Sequence, residues 1–222
     1  YWQINDCWPV ASWASIDYFG RWKALHYVAR RFFAPSLLSL QQDETGLAVV
    51  LVSDQPAPAA GRLTVRLLEL DGAVRKTWRR TVGPRDPGAQ SVWTLPPAER
   101  VRLDRARTVL AAELKEGRRT LARASWLLTE AVDVPLPDPG LTVQMVTRGR
   151  RVEAVVSARS YAHSVLLEAD GAEGRFEDNF FALLPGESRR VKFRPRAKGA
   201  LPVSVRARSL VDLRTVPERV VS

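Results

Sequence analysis

The sequence predicts a mainly β protein: two small antiparallel β-sandwiches, preceded by a strand–loop–helix segment of α/β type. Three observations predict it. Apolar and polar residues alternate with period two over most of positions 47–128 and again over 141–209. Turn-forming stretches such as Gln55–Gly61 and Gly83–Gly88 divide these runs into short strands. By contrast, ten of the eighteen aromatic residues crowd into the first 33 positions, where the apolar spacing becomes helical.

In the first segment, Tyr1–Ile4 predicts a short strand, the polar break Asn5-Asp6 a loop, and Asp17 with Gly20 a turn. Trp22, Leu25, Val28, Ala29 and Phe32 then recur at helical spacing over about three turns. Arg30 and Arg31 suit the negative end of that helix dipole, and Pro35 stops it. One strand with one covering helix cannot bury its own faces, so this segment is predicted to be the edge of a larger domain.

After Pro35, strands are predicted at Leu47–Ser53, Arg62–Leu70, Val74–Val82, Thr108–Leu114 and Thr120–Leu128. Asp71-Gly72 is the first hairpin turn, because glycine accepts the positive φ a tight β-turn demands; Lys115–Arg118 is the second. Five to seven short strands in about 95 residues predict a sandwich. Asp133–Gly140, with three prolines, predicts a linker. Beyond it come Leu141–Val146, Arg151–Ser157, His163–Ala169, Ser188–Phe193 and Pro202–Ser209. Val191 and Phe193 alternate with Arg190, Lys192 and Arg194, and Val203, Val205 and Ala207 with Ser204, Arg206 and Arg208, which predicts one apolar and one cationic face.

The 222 residues carry 34 Lys+Arg against 24 Asp+Glu, a net charge of +10, and 29 of the cations are arginine. The excess is +2 over residues 1–35, +3 over 36–133 and +5 over 134–222. Spread so thinly, and apart from the aromatic residues, it predicts no nucleic-acid partner. No apolar run approaches the roughly 18 residues of a membrane span, and no membrane partner is expected. A lone cysteine, Cys7, allows no intrachain disulfide and leaves the compartment open. The start, YWQINDCWPV, has neither basic nor apolar leader character and resembles the inside of a domain.

Trp2, Gln3, Asn5, Asp6, Trp8 and Trp13 form the most informative cluster. Indole faces stack on sugar rings while Asn, Gln and Asp bond hydroxyls. If Tyr1–Ile4 is a barrel strand, Asn5 and Asp6 stand at its C-terminal end, the face on which barrel active sites are built. The bland alternative is that the tryptophans fill the space between strand and helix. No catalytic residue is expected within the chain: retaining glycoside hydrolysis needs two carboxylates about 5–5.5 Å apart, and the first 43 residues hold no Glu. A Cys7/His26 nucleophilic pair has nothing to orient it. One Cys and two His offer no metal-ligand spacing, and neither metal nor cofactor is expected.

Three runs carry a resemblance: Trp2-Gln3-x-Asn5-Asp6-x-Trp8, Ser12-Trp13-x-Ser15-x-Asp17-Tyr18, and Gly20-Arg21-x-Lys23-Ala24-Leu25-His26-Tyr27. Together they resemble the end of the catalytic barrel in β-mannosidases of glycoside hydrolase family 2. Asp178-Asn179-Phe180-Phe181 with Leu183-Leu184-Pro185-Gly186-Glu187 resembles a run of that family's last immunoglobulin-like domain. The resemblance implies the last strand and helix of a (β/α)8 TIM barrel over 1–35, and immunoglobulin-like β-sandwiches over 36–133 and 134–222. It further implies an exo-acting retaining enzyme on terminal β-mannose, with an oligosaccharide β-mannoside as substrate. The acid/base and nucleophile glutamates, like the remaining N-terminal domains, are expected upstream of this chain. Trp2 is expected in the sugar subsite, with Asn5 and Asp6 nearby. Two readings remain open, the enzyme part and a non-catalytic sandwich pair binding carbohydrate or protein; related members acting on glucosaminides share a similar barrel end. The enzyme reading predicts bare apolar surface on residues 1–33, where barrel neighbours would pack. A self-contained module predicts that this face is covered.

Overall fold

The computed structural model describes residues 3–43, 46–56, 60–84 and 86–214. The chain divides into two compact units: Arg31–Pro135, and a second that joins Tyr1–Arg30 to Leu136–Ser222. The break between Pro135 and Leu136 falls inside the proline-rich stretch Asp133–Gly140.

In the Arg31–Pro135 unit, β1 (Ser36–Asp43), β2 (Gly46–Ser53) and β5 (Gly88–Thr94) form one antiparallel sheet in the order β1-β2-β5. The facing sheet has the order β4-β3-β6-β7, from β3 (Gly61–Glu69), β4 (Val74–Val82), β6 (Thr108–Glu116) and β7 (Arg119–Leu127). Period-two burial is plain in β3, where Leu63, Val65 and Leu67 point inward and Arg62, Thr64 and Arg66 outward. The core joins these to Leu38, Val49, Leu51, Leu110 and Trp93, with Trp78 and Trp126 packed against it and Trp78 5.0 Å from Trp93 between ring centroids. The expected turn at Asp71-Gly72 is present: Gly72 takes φ +110 and Asp71 Oδ1 accepts the Ala73 N–H at 3.0 Å. Strands β1 and β5 were not among those expected. Both are edge strands of weak strand-forming sequence, SLLSLQQD and GAQSVWT, and their strand character comes from pairing with β2, unbroken along β1 and with one register shift along β5.

The other sandwich has sheets ordered β12-β10-β14 and β11-β13-β9-β8. Its strands are β8 (Thr142–Arg148), β9 (Arg151–Ser157), β10 (Ala162–Asp170), β11 (Gly174–Phe176), β12 (Phe181–Leu183), β13 (Ser188–Pro195) and β14 (Ser204–Arg208). Val156, Val165, Leu183, Val191 and Phe193 fill the space between them. Val203, expected inward, is instead 78% exposed: it lies in the loop just before β14, where the strand alternation has not begun. Among the described residues, the longest helix within either sandwich, Leu210–Arg214, has five residues. The fold is thus mainly β, as the alternation predicts.

Asn179 is the polar pivot of the second sandwich. Its buried side chain accepts the Leu167 N–H at 2.7 Å and donates to the Leu167 carbonyl at 3.0 Å, mimicking a strand partner for β10. The next residue, Phe180, is thereby held at φ +52, a region that side chains other than Gly and Asn seldom adopt. Two predictions follow from these contacts. Asn179→Ala leaves two buried backbone groups of β10 without these partners, at roughly 1–3 kcal/mol each, so thermal unfolding should begin in the Leu136–Arg214 sandwich. Trp93→Ala should cost about 3–5 kcal/mol through cavity formation in the other unit. Hydrogen exchange resolved by segment checks that each loss of protection stays within its own unit.

Candidate functional site

Residues 3–30 hold the cluster singled out from sequence. Tyr1 and Trp2 lie outside the described residues, so the expected strand Tyr1–Ile4 and the expected sugar-binding Trp2 are not described. The portion that is described forms no regular strand. Asn5 makes an isolated parallel bridge to Ile16, which bridges antiparallel to Trp22. Hydrogen bonds from Ile16 N to Ile4 O (2.9 Å), Asp6 N to Ile16 O (3.0 Å) and Lys23 N to Ser15 O (2.8 Å) stitch the three short segments together. A single helix, α1 (Ala24–Phe32), follows.

Asp6 is buried. Its carboxylate accepts the Ser12 hydroxyl and, at 2.9 Å, the Lys23 ammonium. Lys23 also donates to the Ser12 carbonyl at 3.3 Å, and Ser12 Oγ accepts the Ala14 N–H at 3.0 Å. Hydrogen bonding by Ser12 and by Lys23 holds the Asp6 carboxyl below the usual aspartate range. Asp6 therefore ties down the loop 7–14, whereas Asn5 is exposed, its amide donating only to the Asp6 carbonyl at 3.3 Å. His26 faces the fully buried Ser15, whose hydroxyl donates to the Ile4 carbonyl at 3.0 Å and lies 3.0 Å from His26 Nδ1. Burial, then the cations Arg30 and Arg175, push the His26 pKa down. Cys7 is exposed and His26 is engaged with Ser15, so no Cys7–His26 pair forms. Asp17 closes the turn before the helix, accepting the Arg21 N–H at 2.8 Å.

Helix α1 presents two faces. Tyr27 is buried, its hydroxyl donating to the Phe176 carbonyl at 3.3 Å and its ring 5.9 Å from that of Phe180. Arg30 donates to the Glu177 carbonyl at 2.5 Å, and Arg175 stacks 4.4 Å over Trp22. These contacts seat the helix on the sandwich at Phe176–Phe180. The opposite stripe, Leu25 and Val28, is exposed. So are Ile4, Trp8, Val10, Trp13, Tyr18 and Phe19, with Trp13 at 82%. Among the described residues, eight of the fifteen exposed large apolar side chains thus lie between Ile4 and Val28. Isolated exposed apolar residues are ordinary, but a concentration on so short a segment marks an interface. The reading of Trp8 and Trp13 as filler between strand and helix does not hold among the described residues, where both side chains are mostly exposed. No group of three or more His, Cys, Asp or Glu is arranged for a metal among the described residues. No described helix is long and apolar enough to cross a membrane.

Residues 45–131 match the Mannosidase Ig/CBM-like domain, and residues 136–213 match the Ig-fold domain of mannosidases. The chain belongs to the β-mannosidases of glycoside hydrolase family 2 and corresponds to their C-terminal part. It is 31% identical to beta-mannosidase A of Neosartorya fischeri over 87% of its length, and 30% identical to beta-mannosidase A of Aspergillus terreus over 97%. It spans only 22% and 25% of those two relatives. Over 67 residues it is 54% identical to the beta-mannosidase of Mus musculus. Its fold is similar to part of a beta-D-mannosidase from Dictyoglomus thermophilum, with a TM-score of 0.73 at 18% identity over 94% of this chain and 26% of that one. An exo-chitosanase of Amycolatopsis orientalis matches with a TM-score of 0.65 at 17% identity, over 94% of this chain and 29% of that one.

The titration directions fix how this segment responds to acid. His26 and His163 both have pKa values lowered chiefly by burial. A lowered histidine stays neutral in the folded state while the unfolded chain takes up a proton, so stability is full above the ordinary histidine range, about 6.5, and falls as pH drops below it. The lowered Asp6 adds a second loss at more acid pH, as pH falls from the ordinary aspartate range towards its folded value. The melting temperature should therefore fall between pH 7 and 5, and His26→Asn with His163→Asn should flatten that limb. Lys23→Met should lower the melting temperature at neutral pH and shrink the Asp6 part of the acid loss, because the folded carboxyl then titrates nearer its unfolded value.

Proposed function

We propose that this chain is the C-terminal part of an exo-acting retaining β-mannosidase that removes terminal, non-reducing β-D-mannose residues from mannosides. The observation that carries this reading is the continuous similarity to beta-mannosidase A along 87–97% of the chain. Residues 1–35 act as the last strand and helix of the catalytic barrel, and 36–133 and 134–222 as two immunoglobulin-like sandwiches. The bare apolar surface of Ile4–Val28 supports the barrel assignment, because it is where the remaining strands and helices of a (β/α)8 domain would pack.

The chemistry belongs to two glutamates of that upstream barrel, about 5–5.5 Å apart. One protonates the leaving oxygen and later activates water; the other attacks the anomeric carbon and forms the glycosyl-enzyme. This chain contributes substrate binding at the barrel mouth. Trp2 supports the sugar ring, and Asn5, exposed beside it in sequence, bonds a hydroxyl. Asp6 acts there through the loop it holds with Ser12 and Lys23. A related exo-glycosidase acting on glucosaminides is the second reading, favoured by the fold similarity to the Amycolatopsis exo-chitosanase.

The 222-residue chain alone should turn over no aryl β-mannoside, whereas a polypeptide carrying the upstream barrel should do so in preference to an aryl β-glucosaminide; the reverse preference selects the second reading. In that longer polypeptide, Trp2→Ala should lower kcat/KM by roughly ten- to a few hundred-fold, because aromatic stacking contributes on the order of 1–3 kcal/mol. Trp13→Ala should leave the melting temperature of the 222-residue chain unchanged and lower that of the longer polypeptide. Turnover by the short chain, or normal kinetics for Trp2→Ala, would refute the subsite.

A further inference from the structure

In the Leu136–Arg214 sandwich, four strand arginines hold carboxylates: Arg190 with Glu153 at 2.8 Å and Arg194 with Glu177 on the β11-β13-β9-β8 sheet, and Arg206 with Asp170 at 3.1 Å and Arg208 with Glu168 at 2.9 Å on the β12-β10-β14 sheet. Both cations of β14 are thereby neutralised, whereas on β8 and β9 Arg148 stands opposite Arg151.

The outer face of the β4-β3-β6-β7 sheet is built otherwise. The register places Arg62 beside Thr81 and Lys115, Arg79 beside Thr64 and then Glu113 and Arg123, and Arg66 beside Thr77, Ala111 and Ser125. The inward alternates of the same strands are the core residues Leu63, Val65, Leu67 and Leu114, so these rows share the outer face of the sheet, with Arg62 and Arg79 exposed, Arg66 half-buried and Ala111 buried. Five cations stand there against a single carboxylate, Glu113, which Lys115 already engages at 2.7 Å. Arg62, Arg66 and Arg79 have no ion pair among the described residues. From strand geometry, Arg79 stands about 8 Å from each of Arg62 and Arg66, which are about 13 Å apart along β3.

We propose that this face of the middle sandwich is a docking surface for an anionic polysaccharide, one carrying sulfate or carboxylate groups along its chain. The guanidinium fork suits both anions and can engage either through two parallel hydrogen bonds. Thr64, Thr77 and Ser125 interleave the arginines and offer hydroxyls to the sugar hydroxyls between the charges. The rows hold no aromatic side chain, because Trp78 and Trp126 turn inward to the core; the stacking platform by which single-stranded nucleic acid is held is therefore missing. This binding does not depend on the role of residues 2–6.

Binding of the 222-residue chain to dextran sulfate and to polygalacturonate, measured by calorimetry at several salt concentrations, tests this. Neutral galactomannan, a thirty-nucleotide oligothymidylate and phosphatidylserine vesicles serve as comparison ligands. The triple variant Arg62→Gln, Arg66→Gln, Arg79→Gln should weaken dextran sulfate and polygalacturonate binding about tenfold or more and flatten its salt dependence. A charge-matched control, Arg190→Gln, Arg194→Gln, Arg206→Gln, should change it by less than twofold. Circular dichroism verifies that both remain folded, and Arg79→Gln alone should show an intermediate loss. Equal losses in the two triples would mean attraction by net charge only and would overturn the proposal. So would no binding by the unaltered chain, or tighter binding of the oligonucleotide or the vesicles through the same three arginines.

Discussion

The burial of Tyr27 is the constraint on which the N-terminal segment depends. A tyrosine can be buried only if its hydroxyl finds an acceptor, and here the acceptor is the Phe176 carbonyl at the end of β11, 149 positions away in the chain. The ring rests near Phe180, which keeps its unusual backbone because Asn179 is fixed to both polar groups of Leu167. Once Tyr27 is seated, helical periodicity decides the rest. Lys23, one turn earlier, and His26, the residue just before Tyr27, reach back to Asp6 and Ser15, and Leu25 and Val28 are left facing out.

That arrangement explains why a run in the last domain and a run at the start of the chain are informative together. Asp178, Asn179 and Phe180 build the seat, and Tyr27 and Arg30 occupy it. The helix uses its polar and aromatic stripe against the sandwich, so its aliphatic stripe is free for a second partner.

Charge follows a similar logic of placement. Arg75 with Glu69 and Lys76 with Glu99 pair at one end of β4, whereas Arg79 farther along the strand does not. Exposed pairs such as these contribute at most about 1 kcal/mol each to stability. Their larger effect is on the local field: a paired face is weakly attractive to anions and an unpaired one strongly so. Net charge alone does not say which cations are paired.

Much of the fold was legible in the residues. Period-two alternation with a buried face located most of the long strands, and Asp71-Gly72 fixed a hairpin, because both depend on local chemistry. The family runs at Trp2–Tyr27 and Asp178–Glu187 identified the lineage. The edge strands β1 and β5 were not legible, since strands of weak propensity are made by the neighbour that pairs with them. Val203 deviates because alternation along the chain does not reveal where a strand begins. In the candidate site, residue types suggested that Asp6 binds a hydroxyl; only the fold showed that Lys23, seventeen positions away, and Ser12 occupy its carboxylate. Likewise the sequence could state how many arginines exist, but not which would find a carboxylate across a strand, because register and strand order are properties of the assembled sheet.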